Sequence, residues 1–352
     1  NMTHAVSQNG DWSGAPAQAV RHRSIGAAIK AMRRSPDARI LLRRGERFSK
    51  LGRLRKFRRL QIGAFGSGSD PVLTSGLGGR DIDQEISVWS LAFEGGYDPT
   101  LLSAQQRPSD GISLSNLSCH ATVHDCALNG IDTGIKPAGA GGTTVITDTR
   151  ITNWHNYGMH SGDVGDVSVA GVSLLQNPKA LFAPSGKSHK NDPGPPMFAD
   201  HGPLRFSRPQ GALSFDKCDI FTNSDWTRQQ AAVQTPYRIN TGGVFPMTVV
   251  LSRQRVEGGW LSFGSDNPDK QTSPADLLID KIIYLTTKGG GALLRLRHGG
   301  ATLRNAVLVQ DNVPPEGSRA LRSFLYAGAP LSGAGSYTND AAANPINIYN
   351  VT

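Results

Sequence analysis

The chain has 352 residues, of which 38% are hydrophobic and only 18% charged, with 41 glycines and 21 prolines. That is enough apolar material for a sizeable core, too little charge for a disordered chain, and too many turn formers for long helices. No run of 18 apolar residues exists, which excludes a readable membrane-spanning helix, and the opening NMTHAVSQNG lacks the basic-then-apolar pattern of a signal peptide.

The net charge of +9 is unevenly spread. Residues 21–59 hold 15 Lys and Arg against Asp37 and Glu46, a local balance of +13, so the rest of the chain carries −4. This basic N-terminal cap region suits a polyanion, whether nucleic acid, lipid headgroups or an acidic glycan. No nucleic-acid-binding motif accompanies it, so nucleic acid is not the expected partner. The three cysteines, Cys119, Cys126 and Cys218, are too few for a disulfide framework and read as small buried hydrophobes.

In chain order, SIGAAIKAM (24–32) predicts a short helix. Ser24 is placed to cap it, and Ile25, Ala28, Ile29 and Met32 form one stripe. A strand, ARILLRRGERF, follows, and RLQIGAFG opens the first regular coil. From there a pattern recurs: apolar, x, apolar, x, x, apolar, x, apolar. It appears as Ile86–Val88–Leu91–Phe93, Ala121–Val123–Cys126–Leu128, Val167–Val169–Val172–Leu174 and Leu213–Phe215–Cys218–Ile220. It continues as Leu277–Ile279–Ile282–Tyr284 and Ala301–Leu303–Ala306–Leu308. Thr144–Ile146–Thr149–Ile151 and Val249–Leu251–Gln254–Val256 are weaker copies, and Ile346–Ile348–Val351 is a truncated one.

Alternation with period two means a strand with one buried face. The two-residue skip reads as a corner after which the inward parity resets, and its Asp and Asn residues tolerate left-handed backbone angles. Copies start 35, 23, 23, 46, 36, 28 and 24 residues apart. A coil of 23 residues, enlarged by loops, predicts a parallel β-helix in which stacked coils share one core. The gap of 46 reads as two coils, one of them irregular, with a loop excursion over 181–203. A further strand after each motif, seen in LRFS (204–207), YRIN (237–240), LSFG (261–264) and LRLR (294–297), predicts a third face. About eight to ten coils in a single domain over 1–352 are expected.

The chain also resembles right-handed parallel β-helix proteins of the pectate-lyase-like superfamily. The resemblance is carried by VSQNGDWSG (6–14), SIGAAIKAM (24–32), ILLRRGERF (40–48) and IGAFGSGSDPVL (62–73), which look like the opening of such domains, and by HGPLRF (201–206). It implies an all-β solenoid with an N-terminal capping helix. It also implies a secreted, extracellular or virion-surface protein within a group of polysaccharide lyases, glycoside hydrolases, epimerases and phage tailspikes. Fold alone does not choose among these. The aspartate cluster that binds calcium in pectate lyases is not recognisable here, and no cofactor is expected.

Outward parity on the third face puts His160, Arg205, Arg238, Ser262 and Arg295 in one column. Arginine forks bind carboxylates at two points, which suits uronic acids or sulfated sugars. The excursion APSGKSHKNDPGPPMFADHG supplies Lys187, His189 and His201 as candidate bases. Arg205 and Arg238 would stabilise the enolate-like charge of a β-elimination. A hydrolase would need two carboxylates facing one groove, with Asp200, Asp219 and Asp225 to be considered. His160, Asp163 and Asp166 in HSGDVGD have oxygen ligands for calcium, although turn chemistry accounts for the same residues. Trp154, His155 and Tyr157 are candidates for a sugar-stacking platform. The expected function is a lyase on an acidic polysaccharide. The alternatives are a glycoside hydrolase and a non-enzymatic glycan-binding β-helix such as a surface adhesin or a tailspike, the last implying a trimer.

Overall fold

The computed structural model describes residues 2–33, 35–49, 51–99, 106–177, 202–222, 237–239, 247–258, 261–263, 275–286, 294–296, 299–310, 325–327 and 346–352. Its strands pair in parallel throughout, joining one coil to the next as a right-handed parallel β-helix. Three faces run along the solenoid. The first stacks strands from Met2–Val6 and Asp37–Arg43, through Leu77–Trp89, His120–His124, Thr143–Thr147 and Asp166–Ala170, to Leu213–Asp216 and beyond. The second runs through Ala127–Asn129, Arg150–Thr152, Ser173–Leu175 and Asp219–Phe221. The third runs through Ile112–Ser113, Thr133–Lys136, Tyr157–Val164, Gly202–Pro209 and Tyr237–Ile239.

Register makes the core. Ile40, Ile62, Val88, Val123, Ile146, Val169, Phe215, Leu251, Ile279 and Leu303 pair rung to rung, and all are buried. Each side chain therefore lands on its counterpart one strand spacing away, about 4.8 Å. No coil could bury its apolar face alone. The weaker repeat copies carry polar residues inward, and the structure satisfies them. Thr149 donates to the Thr147 carbonyl at 2.8 Å, and Thr144 accepts from the Ala138 amide at 2.9 Å. Gln254 donates to the Phe215 and Ser252 carbonyls and accepts from the Tyr237 hydroxyl at 2.6 Å. The three cysteines are free and buried, with burial pushing the thiols of Cys126 and Cys218 up to about 12.

The skipped pair of the motif is the corner between the first and second faces. Its second residue is always left-handed: Ser90, Asp125, Asp148, Gly171, Lys217, Arg253, Lys281, Asn305 and Asn350 all have φ between 47° and 65°. In the last coils the corner is only a kink, because Met247–Gly258 pairs with both Leu213–Asp216 and Asp219–Phe221.

Two expectations need correction. The 46-residue gap is one coil, not two: Val169 pairs directly with Phe215, so residues 178–201 are an insertion between adjacent rungs. Coils also begin earlier than the repeat indicates. Met2–Val6 is already a rung on Asp37–Arg43, and Val20–His22 pairs on its other side, which brings the first face to thirteen strands among the described residues. The insertion, with Lys187, His189 and His201, lies outside the described residues.

The helix forms as Ile25–Met32 between the strands Val20–His22 and Asp37–Arg43. Ser24 Oγ accepts from the Ala27 amide, and Ile25, Ala28 and Met32 are buried over the core. The segment after Val6 is pinned by Glu46, which accepts from Ser7 Oγ at 2.6 Å and the Gln8 amide at 2.7 Å. Asp11 accepts from Arg43 Nε at 2.9 Å. Elsewhere in the basic region Arg21, Arg23, Lys30, Arg33, Arg47, Arg55, Lys56, Arg58 and Arg59 are exposed.

Two glycine substitutions test this account with opposite signs. Gly171→Ala should cost about 1 kcal/mol, because Gly171 is left-handed at a corner and a methyl there would stand 2.8 Å from Asp148 Oδ1. Gly26→Ala should stabilise by about 0.5–1 kcal/mol, because Gly26 lies in the capping helix with open space around it. Denaturant midpoints measure both.

Candidate functional site

The third face brings several polar side chains together. Parallel register aligns His160 with Arg205, Arg205 with Arg238, Arg238 with Ser262 and Ser262 with Arg295. These five positions therefore share one backbone register. The side chains of Arg238, Ser262 and Arg295 lie outside the described residues. One rung earlier the column continues with Lys136, which follows Ile135, the partner of Met159. Sequence reasoning missed Lys136. The same parity rule applied to TGIK (133–136), with Ile135 inward, would have found it.

Four described side chains form the heart of the site. The Tyr157 and His160 rings stack with centroids 4.4 Å apart and planes within 16°. Arg205 lies over the Tyr157 ring, its Cζ 5.8 Å from the centroid, and Nη1 donates to Tyr157 Oη at 2.7 Å. Lys136 Nζ pairs with Asp110 Oδ2 at 2.6 Å. No carboxylate among the described residues pairs with Arg205, and its Nε is buried with no partner. His160 sits between two cations. Burial, then Arg205, then Lys136 lowers its pKa to about 4, so the ring is neutral at neutral pH.

Behind these groups lies a hydrogen-bonded hub. The Asp132 carboxylate accepts from His155 Nδ1 at 2.8 Å and Asn156 Nδ2 at 2.6 Å, and its carbonyl accepts from the Asn156 and Tyr157 amides. Burial pushes the Asp132 carboxyl up, but its bonds to His155 and Asn156 outweigh that and hold it below the usual carboxylate range. The Tyr97 ring meets the His155 ring edge-on at 5.1 Å. A row of glycines lets this part of the coil draw close. A methyl on Gly111 would collide with the Gly134 carbonyl and Leu128, and one on Gly134 with the Gly158 carbonyl.

Buried polar groups without partners are costly and rare in native proteins. Seven such atoms occur among the described residues, and five belong to this neighbourhood: Ser109 Oγ, Asp110 Oδ1, Trp154 Nε1, Asn156 Oδ1 and Arg205 Nε.

The stacking platform needs correction. Trp154 is fully buried in the core, because the left-handed Asn153 turns it inward, and His155 is buried against Asp132. Only Tyr157 of the three takes part in the outward stack. In HSGDVGD the carboxylates have protein partners: Asp163 pairs with Arg208 at 2.8 Å, and Asp166 accepts from the Ala212 amide at 2.7 Å.

Fold and face together define a parallel β-helix whose third face aligns Lys136, His160, Arg205 and Arg238 by backbone register. No family model matches the chain, and no curated protein matches it. Among solved structures the chain is similar to the ORF18 protein of Geobacillus virus E2. The TM-score is 0.45 at 10% identity, over 99% of this chain and 60% of the viral one. It is also similar to the catalytic unit of a thermostable GH87 α-1,3-glucanase from Streptomyces thermodiastaticus. There the TM-score is 0.40 at 13% identity, over 96% of this chain and 69% of that one. The chain thus spans less than two thirds of the viral protein's length.

The site makes a pH prediction. His160 titrates below its ordinary value, and so do His4 and His22, whose rings share a 2.9 Å contact beneath the cap. Below the ordinary value of 6.5 the unfolded chain binds protons that the folded chain refuses. Stability should therefore be level between about pH 6.5 and about pH 8 and fall on acidification towards about pH 4. His160→Gln should flatten part of that fall, as read from urea midpoints across the range.

Proposed function

We propose that the protein is a polysaccharide lyase that holds an acidic glycan along its third face and cleaves it by β-elimination. The observation that carries this reading is Arg205. It is a half-buried guanidinium with no carboxylate partner among the described residues, laid over Tyr157 beside a neutral histidine. A partly desolvated cation without a counter-charge is costly, and a bound carboxylate offsets that cost with charge-assisted hydrogen bonds.

In this reading Arg205 and Arg238, on adjacent rungs, clamp the uronate carboxylate and stabilise the charge that builds on it when the neighbouring C5 proton leaves. Lys136 and His160 extend the binding surface on one side, Ser262 and Arg295 on the other. The base comes from the insertion. His201 is the favoured group because it directly precedes Gly202, the partner of Tyr157, and Lys187 and His189 are the other candidates. For a hydrolase, Asp132 at this site is shifted away from the proton-holding acid such a reaction needs and Asp219 stands on the second face, while Asp200 and Asp225 lie outside the described residues. A polymeric glycan target implies work outside the cell or on a virion surface.

Incubation with a panel of uronate and sulfated polysaccharides should produce the ultraviolet absorbance of unsaturated uronates with at least one of them. Arg205→Ala or Arg238→Ala should lower that turnover by on the order of 100-fold, as expected for removing one well-placed charge-stabilising donor. Arg295→Ala should matter much less. Binding without any absorbance change would assign the face to glycan binding alone. Full activity in both arginine variants would remove the site.

A further inference from the structure

The geometry points to Tyr157 as the group that hands a proton to the departing sugar oxygen. This inference rests on the lyase reading above and names a catalytic residue that reading leaves unassigned. β-Elimination needs two proton movements: one from C5 to a base, and one to the oxygen leaving C4. The candidate bases and the arginine clamp account for the first and for the charge on the carboxylate. Neither supplies the second, and an alkoxide is a poor leaving group without a proton.

Tyr157 is built for that role by three independent contacts. Its ring is fixed against His160 at 4.4 Å. Its amide is held by the Asp132 carbonyl at 3.2 Å, while the Asp132 carboxylate fixes the preceding His155 and Asn156 side chains. Its oxygen accepts from Arg205 Nη1 at 2.7 Å. Because the guanidinium donates to Oη, any negative charge left on Tyr157 after it gives up its proton is met at once by a fixed cation. The same guanidinium is the proposed carboxylate clamp. In a uronate the C4 oxygen is joined to the carboxylate carbon through only C4 and C5. A carboxylate held by Arg205 therefore brings the leaving oxygen within reach of a hydroxyl held by the same side chain.

The base takes the C5 proton, and the electrons of that bond form the C4–C5 double bond. The C4–O bond breaks with its electrons on oxygen, and oxygen receives the Tyr157 proton. The phenolate is then reprotonated from water, and the base releases its proton to solvent. Asp132 acts through Tyr157 as a positioning residue.

The test compares wild type with Tyr157→Phe, which removes only the hydroxyl. One substrate is the acidic polysaccharide. The other is an oligosaccharide whose terminal uronate carries fluorine at C4, since fluoride leaves without a proton. Tyr157→Phe is expected to bind the polysaccharide within about threefold of wild type and to turn it over on the order of 100-fold more slowly. It should eliminate fluoride at close to the wild-type rate. Should the variant fail to fold, deuterated solvent gives the same answer on wild type, slowing polysaccharide cleavage but not fluoride loss. Equal losses on both substrates, or no loss on the polysaccharide, would overturn the assignment while leaving the lyase reading intact. Absence of any unsaturated product from wild type overturns both.

Discussion

Everything in this molecule follows from one constraint: parallel strands stacked in exact register at a spacing of about 4.8 Å. Register places like positions over like positions, so a residue is judged by its column as much as by its neighbours in sequence. Inward columns become continuous apolar stacks, as from Ile40 to Leu303. A polar residue in such a column must find its partner within a rung or two, and Gln254 does so with Tyr237 and Phe215.

The same constraint makes chemistry on the outside. Lys136, His160, Arg205 and Arg238 are 24, 45 and 33 residues apart along the chain, yet stand on successive rungs. Burial first, and then the like charges of Arg205 and Lys136 one rung away on either side, lower the His160 pKa and leave its ring neutral. The hub at Asp132 and the closely spaced glycines behind it hold the turn that carries Tyr157. An anion entering this row meets donors that are already fixed, so little ordering is needed on binding.

Much of this was legible because the column is a parity rule. Apolar Leu204 and Phe206 force Arg205 outward, and Tyr237 with Ile239 sets the backbone parity of Arg238. The corners were legible as skipped pairs, although Lys217, Arg253 and Lys281 show that register imposes a left-handed turn even on residues with no preference for it. The failures have physical causes too. Spacing counts residues rather than rungs, so an insertion between paired strands looks like a missing coil. Trp154 follows an αL residue, Asn153, and a local backbone reversal of that kind changes which face a side chain takes without altering the apolar pattern. The Asp132 hub was unreadable because His155, Asn156 and Asp132 lie 23 and 24 residues apart and carry no pattern of their own.

The central claim is that the third face at Arg205 is an anion site. A crystal structure of the protein with a bound acidic oligosaccharide tests it most directly. The account predicts a sugar carboxylate or sulfate within hydrogen-bond distance of the Arg205 guanidinium, with the chain of sugars following the column past His160. An oligosaccharide seated on another face would contradict it, as would an Arg205 guanidinium already paired with a carboxylate of the protein.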